Sequence, residues 1–393
     1  MLFYSRYQSN DPEDFATELT RMQSSILRSS GRSIYRKPYL YELPATMSYS
    51  QLSMALYRTI SSHAMLQVQF KYERKLQRYE QYIVQLPSLN DWDIPIVDIG
   101  MQPEMYIITE ETSVSLLGGY PWRIKFLQYD DKRYMYLEFH SICVDHYGVK
   151  CFEDTLFRAL RSGYQLPSGN LSSYRLVRNM EIISSNFRQK RQDPVQFPLI
   201  QEPGMRIITA SYELTSDQMM VIEQIKKRYN VEASVVYQLI VEQMLGYDSE
   251  GELYGMIDNW RSTLRNFDEV GCFYYMNGEV VQGLGVMRSR LMTLQLQHQK
   301  RKEGEFTTIS KRNDYSIVYS YEEVLCQRLV EVPADQYGPY ELFIRIRCGQ
   351  AGTTVKFEYS PEHYCREQIK QYYIHLYNVM NTLRQQLLTN CAS

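Results

Sequence analysis

The chain has 393 residues, 44% of them hydrophobic, enough to bury cores in two ordinary domains or one large two-lobed unit. Its formal net charge of −2 excludes a global electrostatic pull toward nucleic acid or an anionic membrane surface. The seven cysteines are scattered, odd in number and without a CxxC pair, which excludes a disulfide framework and a structural zinc site. Arg6, Asp11, Glu13 and Asp14 interrupt the start of the chain before a signal-peptide core could form. No run of about 18 apolar residues suggests a membrane span, so a cytoplasmic setting is expected. Tyrosine is abundant, 35 residues against 14 Phe and 3 Trp. Such rings suit half-buried strands and cleft walls, although a biased genome composition accounts for the same excess.

In chain order, Phe15, Leu19, Met22, Ile26 and Leu27 recur near helical spacing and predict a helix over 15–27. Residues 39–43 read as a strand. Ser48 then opens a helix with the stripe Leu52, Ala55, Leu56 and Ile60. Alternation predicts strands over 66–70 and 123–127. A strand-like run, 134–139, leads through His140-Ser141-Ile142-Cys143-Val144-Asp145-His146 into an amphipathic segment, 149–160. A strand that ends in His and Asp before a helix is a common way to present a base at a cleft.

Residues 162–174 are turn-rich, and 189–204 mix charge with Pro194, Pro198, Pro203 and Gly204. They divide the chain into an N-terminal lobe (1–175), a crossover linker (176–204) and a C-terminal lobe (205–393). The second half restarts with a strand near 207–213. Thr215 and Gln218 form a capping box, and the helix they open carries Val221, Ile222 and Ile225. Tyr229-Asn230 breaks that helix, and an apolar one follows over 233–245. Strand-like runs occupy 253–258, 270–276, 315–319, 341–348 and 353–359, and residues 366–388 form a closing helix. Gly278 to Gly285 reads as a hairpin and turn. Strands and helices without regular βαβα alternation define an α+β class.

Four segments, in order, carry a family resemblance. His140 to His146 resembles the HHxxxDG signature of nonribosomal-peptide condensation domains and related CoA-dependent acyltransferases, with His140 at the first histidine and Asp145 at the aspartate. Ser141 stands at the second histidine, which carries the chemistry in that family, and His146 at the glycine. Ser62 to Phe70 is similar to the RHExLRTxF segment, keeping His63, Leu66 and Phe70. Val270-Gly271-Cys272-Phe273 is similar to the (I/V)GxF segment, and Gln336 to Leu342 to the YPFEL-like run. Ser62, Ala64 and Gln67 replace charged family residues, and the early SxAQxRxW-type segment has no counterpart.

The resemblance implies two chloramphenicol-acetyltransferase-like lobes in a V shape with a central tunnel. A phosphopantetheine or CoA thioester, the former on an acyl or peptidyl carrier protein, would meet an acceptor amine or alcohol there. The second histidine assists attack on the thioester, and the aspartate is architectural, commonly paired with an arginine. Arg123 and Arg261 are the two candidates for that pairing here. No cofactor of the protein's own is implied.

With Ser141 in the histidine's place, His146 is the substitute base to consider, since imidazole titrates near neutrality. His140 could serve only if the strand slipped by one residue, which reverses its faces and needs a bulge. Otherwise it is a packed strut. Ser141 has no GxSxG elbow to make it a nucleophile. His140 and Cys143 lie on opposite strand faces, which argues against a metal site. Lys226-Lys227-Arg228 and Lys300-Arg301-Lys302 are basic runs that either contact solvent or meet a phosphopantetheine or CoA phosphate. The sequence therefore predicts a condensation-domain-like acyltransferase of natural-product assembly with altered or weakened chemistry. The alternative is a non-catalytic relative that binds a carrier protein, a tethered intermediate or a partner enzyme. A third option is another reaction of the bound thioester, such as epimerisation, cyclisation or dehydration.

Overall fold

A computed structural model describes residues 16–28, 35–110, 114, 116–161, 169–186, 205–246, 251–281, 287–303, 315–332, 336–338 and 340–389. In chain order the first half comprises β1 (Ala16–Glu18), α1 (Arg21–Arg28), β2 (Arg36–Glu42), α2 (Tyr49–Ser62), β3 (Val68–Glu73), β4 (Arg78–Ile83) and β5 (Ile96–Asp98). It continues with α3 (Pro103–Thr109), β6 (Trp122–Tyr129), β7 (Lys132–His140), α4 (His146–Ala159) and α5 (Ser172–Asn186). The second half comprises β8 (Met205–Glu213), α6 (Ser216–Tyr229), α7 (Ala233–Leu245), β9 (Leu253–Asn259), α8 (Arg261–Leu264), β10 (Tyr274–Val280) and α9 (Met287–Lys302). After these come β11 (Ile317–Glu323), β12 (Val330–Glu331), β13 (Gln336–Gly338), β14 (Leu342–Gly349), β15 (Gly352–Tyr359) and α10 (Arg366–Thr389).

Mixed sheets and helices make this an α+β molecule. Among the described residues, three sheets run in the orders β1-β4-β3, β12-β2-β7-β6-β5 and β10-β9-β11-β14-β15-β8-β13. In the second sheet β12 pairs antiparallel with β2, Val330 opposite Leu40, so a strand of the second half extends a sheet of the first. The second half has its own core, where Val221, Ile225, Val236, Ile240, Ile344, Phe357, Ile369 and Leu376 pack together. Another core crosses between the halves: Leu56, Phe139, Val149 and Phe152 share it with Trp260, Phe273 and Phe343. Burial of apolar surface thus fixes one half against the other.

Local signals explain the helix ends. Ser48 and Gln51 form a capping box at α2, as Thr215 and Gln218 do at α6. Asn230, at φ 51°, closes α6 in the left-handed conformation that Asn tolerates.

The helix expected over 15–27 is a correction. Ala16–Glu18 pairs with β4 instead, Ala16 opposite Tyr82, and the helix starts only at Arg21. Thr20 and Gln23 exchange the two bonds of a capping box there, 3.2 and 3.0 Å, so a start signal was present in the sequence. The strand expected from 66 begins at Val68, after a 3-10 turn over Ala64–Gln67. The strand expected over 270–276 is Tyr274–Val280, because 271–273 are spent on contacts with the start of α4, described below, and with α5, where Cys272 N–H donates to the Tyr174 hydroxyl at 2.7 Å. Gly278 therefore lies in β10, and 282–285 fall outside the described residues. In the stretch expected to be a linker, α5 runs on to Asn186, and 187–204 lie outside the described residues.

Candidate active site

The end of β7 and the start of α4 carry the segment His140 to His146. All seven residues from Tyr134 to His140 are buried, as befits a strand inside the sheet. Cys143 N–H then donates to the His140 carbonyl at 3.0 Å and turns the chain. Asp145 takes up the N-cap of α4, its carboxylate accepting from Gly148 N–H at 2.7 Å.

Asp145 is fully buried, and its remaining lone pairs are used by the second half. Arg261 Nη2 donates at 2.9 Å, Arg261 Nε at 3.0 Å, Asn259 Nδ2 at 2.9 Å and Phe273 N–H at 3.1 Å. Arg261 spends its other donors on the Asn266 and Gly271 carbonyls, both at 3.2 Å, and lies over the Phe273 ring. Burial alone would raise the Asp145 pKa, but the Arg261 charge and these bonds hold it below the ordinary value. Backbones touch here as well. Asp145 N–H donates to the Gly271 carbonyl at 2.8 Å, and a Cβ on Gly148 would stand 3.0 Å from the Gly271 backbone. Glycine at 148 permits that approach, while a Cβ on Gly271 would meet the Phe273 ring and the Tyr174 hydroxyl.

The choice between the two arginines is thereby resolved. Arg123 does not meet Asp145: it lies directly across the β6–β7 ladder from Glu138 and donates to that carboxylate at 3.0 Å. Arg36 completes the cluster, 2.7 Å from the same oxygen. Two strand residues short of His140, Glu138 holds Arg123 away from the α4 N-terminus.

His140 and Ser141 face inward. His140 is buried, its Nδ1 accepting from Ile142 N–H at 3.2 Å and its ring against Tyr35. The Ser141 hydroxyl donates to the Tyr35 carbonyl at 3.1 Å, and the same carbonyl accepts the Ser141 N–H at 2.8 Å. Neither residue lines a described cavity.

His146 does. A cavity of about 450 Å³ lies between the α4 N-terminus, which gives His146 and Tyr147, and walls built from the second half. A smaller space of about 60 Å³, bordered by Lys37, Arg345 and Arg347, lies beside it. His146, Glu322 and Glu323 line both, so they form the partition between them. The His146 ring stacks on Tyr274, with Nδ1 2.6 Å from the phenolic oxygen. Burial lowers the His146 pKa to about 4, although Glu322 and Asp145 pull the other way, so the imidazole is neutral at pH 7. Burial raises the Tyr274 pKa well above its ordinary value, with Glu322 adding to it, so the phenol stays protonated. For Glu322 burial is outweighed by Arg345, Lys37, His146 and Arg347, which lower its pKa to about 2.

The two basic runs meet the larger cavity through Lys226, Arg301 and Lys302. Each is already ion-paired: Lys226 with Glu223 at 2.6 Å, Arg301 with Asp258 at 3.2 Å and Lys302 with Glu232 at 2.5 Å. His63 is a buried strut, bonded to Thr155 at 3.1 Å, its pKa lowered by burial to about 4. Sequence reasoning missed Asn259, Tyr274 and Glu322. Asn259 sits two residues before Arg261 and Tyr274 directly follows the (I/V)GxF-like segment, which are signals; Glu322 had none. Among the described residues, no helix is long and apolar enough to cross a membrane.

No protein-family model matches the chain, and no curated protein matches it. Solved structures do. The epimerization domain from the third module of tyrocidine synthetase B is 12% identical over 95% of this chain and 98% of its own, with a TM-score of 0.76. The condensation domain of the monacolin K polyketide synthase is 11% identical over 93% and 97%, TM-score 0.71. The X-domain from teicoplanin biosynthesis is 12% identical over 96% of each chain, TM-score 0.69. The chain therefore has the fold of the condensation domains and their epimerization and X-domain relatives.

Proposed function

We propose that the protein is a condensation-fold acyltransferase of natural-product assembly with altered chemistry, in which His146 takes the place that Ser141 leaves empty. The acyl or aminoacyl group reaches the 450 Å³ cavity as a thioester, on the phosphopantetheine of an acyl or peptidyl carrier protein or on CoA. Attack by an amine or alcohol forms the C–N or C–O bond and breaks C–S. The thiolate leaves and takes up the proton that the acceptor loses. One observation carries this reading: His146 is the motif imidazole on the cavity wall, while His140 and Ser141 are packed into the protein. Asp145 and Arg261 hold the turn, and Arg123 holds the strand before it.

A second reading, thioester binding without turnover, is favoured by a different observation. An imidazole with a pKa of about 4 is a weak proton acceptor at neutral pH. Mass spectrometry of acyl transfer from CoA-bound and carrier-bound thioesters to amines and alcohols separates the two. The native protein is run beside His146→Ala and Ser141→His. Turnover lost in His146→Ala supports the first reading. Turnover found only in Ser141→His replaces it with the second, and silence from three folded proteins over a broad panel removes the enzyme.

A further inference from the structure

The Tyr274–His146 pair determines more than the position of a ring. Tyr274 Oη is within reach of two groups of His146: the backbone N–H, at 3.2 Å, and ring Nδ1, at 2.6 Å. The backbone N–H can only donate, so the phenolic oxygen accepts it. The phenol is half-buried on the cavity wall and protonated, and its own hydrogen takes the acceptor within reach. Nδ1 is the acceptor that the geometry supplies. A neutral imidazole that accepts at Nδ1 carries its hydrogen on Nε2.

We infer that Tyr274 is a positioning residue that holds His146 as the Nε2–H tautomer, so that His146 meets a bound thioester as a hydrogen-bond donor to its carbonyl oxygen and not as a base. This rests on the reading above, that a thioester enters the cavity. Nε2 makes no hydrogen bond among the described residues, and His146 borders both spaces. When the acceptor attacks, the carbonyl π pair moves onto oxygen, and the Nε2–H bond stabilises that oxyanion. The pair returns as the C–S bond breaks. The acceptor's proton passes through solvent to the thiolate, so His146 starts and ends the cycle with the same hydrogen. This tautomer has no lone pair on Nε2 with which to take a proton.

The tautomer is read directly by ¹⁵N NMR of the full chain with labelled histidine near neutral pH, the His146 signals assigned by their loss in His146→Gln. The expected spectrum has a pyridine-type Nδ1 and a pyrrole-type Nε2, and Tyr274→Phe, which keeps the ring, moves it toward a mixture. A pyrrole-type Nδ1 in the native protein overturns the inference. So does an unchanged spectrum in Tyr274→Phe. Binding of two CoA thioethers then tests the consequence: S-acetonyl-CoA, which presents a ketone, and S-propyl-CoA, which does not. The native protein is expected to favour the ketone roughly threefold to tenfold, the worth of one hydrogen bond, and His146→Ala to lose that preference. Equal binding of both by the native protein refutes the donor role. Binding of neither removes CoA as the carrier of the thioester and the donor role read on it, while the spectrum still decides the tautomer.

Discussion

Asp145 and His146 are neighbours in the chain, yet their surroundings obey opposite rules. Asp145 spends its carboxylate on Gly148, Asn259, Arg261 and Phe273, and each of those bonds is internal to the protein. His146 gives Nδ1 to Tyr274 and borders two cavities, its other ring nitrogen without a hydrogen bond among the described residues. A buried charge is tolerated only when it is paired and hydrogen-bonded. An imidazole at a cavity wall is under no such constraint and can change its task. The contrast separates a residue that holds the turn from one that faces the cavity.

The comparison is broken most severely at its buried side. Arg261→Met leaves Asp145 as an unpaired charge and is expected to cost about 3–5 kcal/mol, read from the urea midpoint of unfolding. A cost below about 1 kcal/mol would mean that the pair is not what joins the halves. Acid is expected to act next. His63 and His146 have folded pKa values of about 4 against an ordinary 6.5, so between these limits the unfolded chain binds more protons. Their contribution is complete above pH 6.5 and is lost as pH falls to about 4; for the more deeply buried His63 it amounts to roughly 3 kcal/mol. Denaturation followed against pH should show that loss, and His63→Asn should shallow it.

Gly148→Ala sharpens the account of the contact between halves. Its Cβ would press on the Gly271 backbone, at an expected cost of about 1–3 kcal/mol by thermal unfolding. The smallest effect is expected of Ser141→Ala, which removes one bond to the Tyr35 carbonyl, worth about 1 kcal/mol. Binding of S-acetonyl-CoA should be unchanged in that variant, because Ser141 does not line the cavity.

Much of the fold was legible because its local signals agree with its tertiary contacts. The capping boxes at Ser48 and Thr215 and the stop at Asn230 are short-range chemistry, and they stand where the sequence put them. The start of the chain misled because 15–27 has helical periodicity, while pairing with β4 claims Ala16–Glu18 as a strand, a choice made by residues more than sixty positions away. At the site, the resemblance named Asp145 and His146 and left Arg123 and Arg261 both open; ladder register sets Arg123 opposite Glu138, and Arg261 meets Asp145. Tyr274 and Glu322 reach His146 only through the packing of the second half against the first, which periodicity does not encode.

The most direct test of a chemistry moved from the Ser141 position to His146 is a crystal structure of the protein with S-acetonyl-CoA. The account predicts the ketone oxygen within hydrogen-bond distance of His146 Nε2, with Ser141 still bonded to the Tyr35 carbonyl. A ketone oxygen held by any other group, with His146 Nε2 out of reach, would contradict it.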